Sequence, residues 1–207
     1  MSGADHRRDI EKYVQSRVLR LQEAYARGGQ QPTSYGSATM AALRRADPTC
    51  PGDDPAVWEI TLGDLPATLA GGGDAPSRAE RAIHAALCLY ATHQQSRGDG
   101  VHRSGVRFGQ AVRQLAMVRG DGRELDGSVV ARFHQAGAAA SDRRRLTVMR
   151  TLVTLMRAER GAGIHLDYGL LARDLYDLSS PRTASRVRLA WGRDLRRHRS
   201  DQSDLSA

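Results

Sequence analysis

Apolar positions recur at steps of three and four along most of the chain. In residues 9–27, Ile10, Val14, Val18, Leu21 and Tyr25 share one side of a helical period, and Gly28-Gly29 stops that helix. Residues 30–36 form a loop with Pro32, and Thr33 or Ser34 is placed to cap a second helix that runs to about Ala46, ahead of Pro48. Residues 47–55, DPTCPGDDP, are loop by composition. Short helical pieces are predicted at 55–61 and 63–70, before Gly71-Gly72-Gly73. Ser77 and Glu80 stand at capping-box spacing and open a strong helix over 76–96, with Ile83, Leu87 and Tyr90 on one face. A polar loop at 97–105 precedes a helix at 106–118, a turn at 119–127, and helices at 128–137 and 142–159. Ser141 caps the last of these, and Gly161 and Gly163 end it. Asp167 starts a helix to about Leu178, Ser179-Ser180-Pro181 punctuates, and a final helix spans 182–198, followed by a polar tail at 199–207 that reads as frayed. WEITL at 58–62 comes nearest to strand alternation and is too short and isolated to form one. The expected fold is all-α: about eight to ten helices in two packed bundles, roughly 8–100 and 104–198, within one domain covering 1–207.

Charge changes this picture from a generic helical domain to a candidate binder. The 207 residues carry a formal charge of +8, and Lys12 is the only lysine among 31 basic residues. A GC-rich genome accounts for arginine over lysine but not for the positive excess, which points to a polyanion. The arginine fork suits phosphate in particular. The N-terminus lacks an apolar signal core and no run approaches the ~18 apolar residues of a membrane span, so a cytoplasmic location is expected.

Within 142–159, Leu146, Met149, Leu152, Val153, Leu155 and Met156 cover one half of the helix. The other side carries Arg143, Thr147, Arg150, Thr154 and Arg157 and no acid. The arginines recur every seven residues, ~10 Å apart at ~1.5 Å per residue, a ridge able to bridge phosphates with threonine hydroxyls as neutral donors. The alternative is an ordinary solvated face. In the last helix Arg182, Arg186, Arg193, Arg196 and Arg197 gather on one third of the circumference, opposite Val187, Trp191 and Leu195, with Leu189 intruding and Asp194 nearby. Arg44 and Arg45 end the second helix, where they either satisfy terminal carbonyls or clamp a backbone.

Several chemistries find no support. Lys12 follows Glu11 with no glycine near, which excludes a P-loop; no histidine precedes a glutamate, and G-x-S-x-G is missing. Cys50 and Cys88 make no disulfide framework. His84 and Cys88, four apart, supply half a metal site with no second pair, and core packing is the plainer reading. No catalytic residue, metal or other cofactor is expected. With two Phe, two Trp and six Tyr there is little material for base-stacking platforms, so binding should address phosphates with strong salt dependence.

The segments LRRADP (43–48), ALCLYATHQQ (86–95), VRFGQAVRQL (106–115), ARFHQAGAAAS (131–141), LTVMRTLVTLMR (146–157), LDYGLLARDL (166–175) and RLAWGRDLRR (188–197) together resemble the CasB family, the small subunit of the type I-E CRISPR interference complex, Cascade. The resemblance covers about 40 to 198. It implies an all-α protein of two helical bundles, present as two head-to-tail copies, touching the guide-coating backbone subunits and the large subunit. It implies contact with guide RNA and target DNA backbone, a role in holding the target and displaced strands, and no catalytic residues. By matched position it implicates Arg44 and Arg45, Arg132 before Phe133, Arg150 after Met149, and the adjacent Arg143, Arg144 and Arg145; the helical ridge adds Arg157. His93-Gln94 also matches, in a buried or capping role. A helical DNA-binding regulator and a protein-only scaffold are the competing readings.

Overall fold

A computed structural model describes residues 3–26 and 31–196; the predicted Gly28-Gly29 stop, Arg197 and the tail at 199–207 lie outside the described residues. Among these residues nine α-helices form: α1 (Gly3–Tyr25), α2 (Ser34–Arg45), α3 (Trp58–Thr61), α4 (Arg78–Gln94), α5 (Phe108–Arg119), α6 (Gly127–Ala138), α7 (Asp142–Ala158), α8 (Tyr168–Leu178) and α9 (Pro181–Arg196). No strand is present among them; His102 and Leu166 form an isolated parallel bridge. The all-α expectation holds.

Local chemistry sets the helix starts. Thr33, Ser77, Asp126, Ser141 and Asp167 each accept a backbone N–H of the first turn through the side chain, and Ser77 with Glu80 completes the capping box. The four-residue WEIT segment is helical, not extended. Two elements depart from expectation. α1 starts six residues earlier than the periodicity indicates, because its first turns are anchored from outside: Arg7 Nε donates to both Asp177 oxygens at 2.8 and 2.9 Å, and His6 bonds Thr68 O at 3.0 Å. Residues 63–70 form turns instead of a helix, since Asp64 takes φ 52 and Pro66 brings no N–H.

α4 is the centre of the molecule. Residues 82–94 are buried without interruption, and α4 packs against α1, α2, α7 and α8. α8 fills the space between α1, α4 and α9, with Tyr90 of α4 and Tyr168 of α8 edge to face at 5.3 Å. A second aromatic group joins Phe108 of α5, Phe133 of α6 and Trp191 of α9, with centroids 4.9 to 5.7 Å apart. α6 and α5 pack against α7, and one apolar core runs through all of these helices. No described helix is long and apolar enough to cross a membrane.

Candidate nucleic-acid interface

α7 buries Leu146, Met149, Leu152, Val153 and Met156 and leaves the rest of its surface beside the end of α2. A cleft of ≈ 580 Å³ lies there, lined by Arg45, Asp47, Arg143, Thr147, Arg150 and Thr154, with Thr49 and Leu155 among its neighbours. Arg143 is exposed and its Nη1 meets Asp47 Oδ2 at 3.3 Å. Hydrogen bonds from Thr49, and to a lesser degree Arg143, hold the Asp47 carboxyl below its ordinary range. Arg150 is half-buried and donates to the carbonyl of Arg44, one of the orphan acceptors at the end of α2. Arg157 donates to Gln95 Oε1, just past the end of α4. The ridge therefore exists as a line but leans against α2 and α4 at the edge of the apolar face instead of standing opposite it.

The remaining predicted residues divide. Arg45 is exposed at the cleft, and Arg44 is half-buried beside it with Nη1 lacking a partner among the described residues. Arg144 is exposed, and Arg132 on α6 folds back onto Ser128 O at 3.0 Å; neither lines the cleft. Arg145 belongs to the interior: it is 4% exposed, bonds Asp142 Oδ1 at 2.5 Å and Ala139 O at 2.7 Å, and is removed from the surface set. The threonine expectation also needs correction. Thr147, Thr151 and Thr154 donate their hydroxyls to Arg143, Thr147 and Arg150 carbonyls in the preceding turn, so they offer an incoming phosphate no free donor. Asp47 was missed by the sequence reading: it puts one acid into a stripe that carries none along its own helix.

On α9, Arg182, Arg186, Arg193 and Arg196 are exposed. Asp194 is buried and held by Arg107 Nε at 2.8 Å, so it does not dilute that face, while Leu189 does, at 54% exposed. A larger cleft of ≈ 760 Å³ between α1, α8 and α9 is also rich in basic residues, but most of them are paired, Arg8 and Lys12 being in no ion pair among the described residues. Arg7 and Arg186 share Asp177, Arg173 takes Glu11, and Arg107 takes Asp194. By contrast Arg44, Arg45, Arg144, Arg150 and Arg157 form no ion pair among the described residues.

His84 and Cys88 both lie in the interior, as the core-packing reading expects. Cys88 is buried, and desolvation pushes its thiol up to about 12. His84 bonds Asp47 O at 2.9 Å and contacts Cys88 Sγ at 3.6 Å, a buried helix-to-loop tie. Among the described residues no group of three or more His, Cys, Asp or Glu is placed to hold a metal ion. His93 and Gln94 are fully buried; Gln94 donates to Arg97 O and Asp99 O and accepts from Val101 N, which shapes the loop after α4.

The family model for CRISPR-associated protein Cse2 matches residues 39–195. Among solved structures, CasB from Thermobifida fusca is 36% identical, with a TM-score of 0.74 over 91% of this chain and 98% of that one. CasB from M. ruber is 18% identical with a TM-score of 0.58, over 94% of this chain and 98% of that one, a likeness of fold. A comparison with curated protein sequences finds no match. A family match over most of the chain, on a fold shared with a CasB at 36% identity, places this protein in the CRISPR-associated Cse2 (CasB) family.

Proposed function

We propose that this chain, a CRISPR Cascade subunit by family, is the non-catalytic small subunit that grips polynucleotide backbone without reading bases. The observation that carries this reading is the α7–α2 cleft, where Arg45, Arg143 and Arg150 converge against a single acid, Asp47. Guanidinium groups with donors to spare are phosphate ligands, and contacts of this kind position a strand while base pairing elsewhere supplies the sequence. The exposed aromatics favour the same conclusion. Among the described residues Trp58 and Tyr35 are the large exposed aromatics, and Tyr35 lies under Arg20, so little aromatic surface is left for stacking bases. Guide RNA and target DNA are the proposed ligands, with the Cascade backbone subunits, the large subunit and a second copy of this chain as protein partners.

Filter binding across salt tests this. The wild-type protein gives a log–log slope of about −3 or steeper, with no preference among sequences. Replacing Arg143 and Arg150 together by alanine weakens binding to all sequences alike and makes the slope shallower by about 2. Unchanged affinity in the double variant retires the cleft. A wild-type slope near zero supports a protein-only scaffold, and a preference for one duplex sequence on the order of 10³ supports a regulator.

A further inference from the structure

α4 and α7 end side by side, and the loops that follow them are stitched together. Leu166 N donates to Val101 O at 3.0 Å, Arg103 N to Leu166 O at 3.3 Å, and Asp167 N to Val106 O at 2.8 Å. This junction lies just beyond Arg157, and it gathers positive charge that the sequence pattern does not reveal.

Arg97 is buried there but loosely held. Its Nη2 reaches Arg160 O at 3.4 Å and Asp99 Oδ2 at 3.6 Å, and the Asp99 side chain is 84% exposed. Its Nη1 is buried with no hydrogen-bond partner among the described residues. Charge-assisted bonds to phosphate run at about 2.7–2.9 Å, well inside these contacts. His93, fully buried, bonds the Tyr168 hydroxyl through Nδ1 at 2.9 Å and leaves Nε2 without a partner. Burial above all, then Arg97, His165 and Arg157, drives the His93 pKa down to about 3. His165 is likewise lowered by burial first, then by Arg103 and Arg97. Asp99 opposes the shift at His165. Asp167, at the start of α8, is occupied by the N–H groups of Gly105, Gly169 and Leu170.

We propose that this junction is a phosphate pocket, in which Arg97 and Arg157 take the oxygens of one phosphate group with Arg103 and His165 at the rim. It rests on the backbone-binding reading of α7 and carries the bound strand one phosphate past the end of that helix. The shared chemistry is a tetrahedral phosphate, which a polynucleotide or a free anion can supply.

The test uses the full chain, with the His93 and His165 ring nitrogens followed by NMR during titration with a single-stranded oligonucleotide and, separately, with inorganic phosphate, at ionic strength matched with chloride. In parallel, oligonucleotide affinity is measured across salt for Arg97→Gln, Arg103→Gln and the Arg143→Ala/Arg150→Ala double variant. The oligonucleotide is expected to move both rings saturably, and Arg97→Gln and Arg103→Gln each to make the salt slope shallower by about 1 for every sequence. Arg103 is exposed, so its variant decides the matter even if Arg97→Gln fails to fold. Unchanged slopes in both single variants, with a shallower slope in the double variant, overturn the pocket and leave the α7 cleft standing. Ring shifts with inorganic phosphate and none with the oligonucleotide overturn the backbone assignment. A wild-type slope near zero removes the α7 reading and the pocket with it.

Discussion

A guanidinium that is 4% exposed must find its acceptors inside the protein, and Arg145 finds them in Asp142 and Ala139 O. Burial lowers its pKa and Asp142 opposes that, so the group is a structural cation. Arg145→Ala is expected to cost about 1.5–3 kcal/mol in urea denaturation and to leave the salt slope of nucleic-acid binding unchanged. Arg143→Ala should do the reverse: a stability change within about 0.5 kcal/mol, because its pair with Asp47 is exposed, and a shallower slope. The difference between these neighbours was legible in the sequence. At ~100° per residue, Arg145 falls between Leu152 and Met156 on the buried face, whereas Arg143, Arg150 and Arg157 follow one another along its edge. The family resemblance grouped Arg143, Arg144 and Arg145 by adjacency, and adjacency on a helix separates directions. Asp47 was not legible in the same way. It comes from a loop 96 residues away from Arg143, and no periodicity along α7 reports it.

Helices cross closely where one of a pair carries glycine in its first turn. An added Cβ on Gly109 of α5 would stand 2.7 Å from Asp194 Cβ and 2.9 Å from Trp191 O of α9; one on Gly169 of α8 would stand 2.7 Å from Glu11 O of α1. Because backbone cannot swing aside as a side-chain tip does, Gly109→Ala and Gly169→Ala are each expected to lose about 1–3 kcal/mol, read as a lower urea midpoint. Apolar spacing and capping residues made the larger elements readable: the starts of α4, α7 and α8 fall at Ser77, Ser141 and Asp167 as expected. What spacing could not supply is the support an element draws from elsewhere. The first turns of α1 depend on Asp177, and residues 63–70 lose helix to one left-handed Asp and one Pro.

Across the whole molecule, stability should fall on acidification. His84, His93, His102 and His165 all have pKa values lowered by burial first, so the unfolded chain binds more protons below about pH 6.5. Their contribution is present above that pH and is lost as pH falls. Asp174 acts in the opposite sense. Desolvation raises it to about 6, against a hydrogen bond from Trp191 Nε1 at 2.7 Å, so its contribution is full below pH 3.8 and is lost as pH rises through 6. Urea denaturation from pH 7.5 to 4 should therefore show a net decline, shallower in His93→Gln and steeper in Asp174→Asn. Asp174→Asn should also gain on the order of 1–3 kcal/mol at neutral pH. A flat profile in the wild-type protein would contradict this assignment of buried neutral histidines.

The seat of α8 has a consequence for how the protein comes into being. Residues 168–178 fill the gap between α1 and α4, both of which lie in the first 94 residues. A nascent chain that has released α1 to α4 still exposes the apolar flanks awaiting Tyr168, Leu171 and Leu175, and synthesis at about 5–20 residues per second sets how long they stay open. Translation must run from Gln94 on through Tyr168 before the earliest helices can close, which makes the unfinished amino-terminal part a natural client for chaperones.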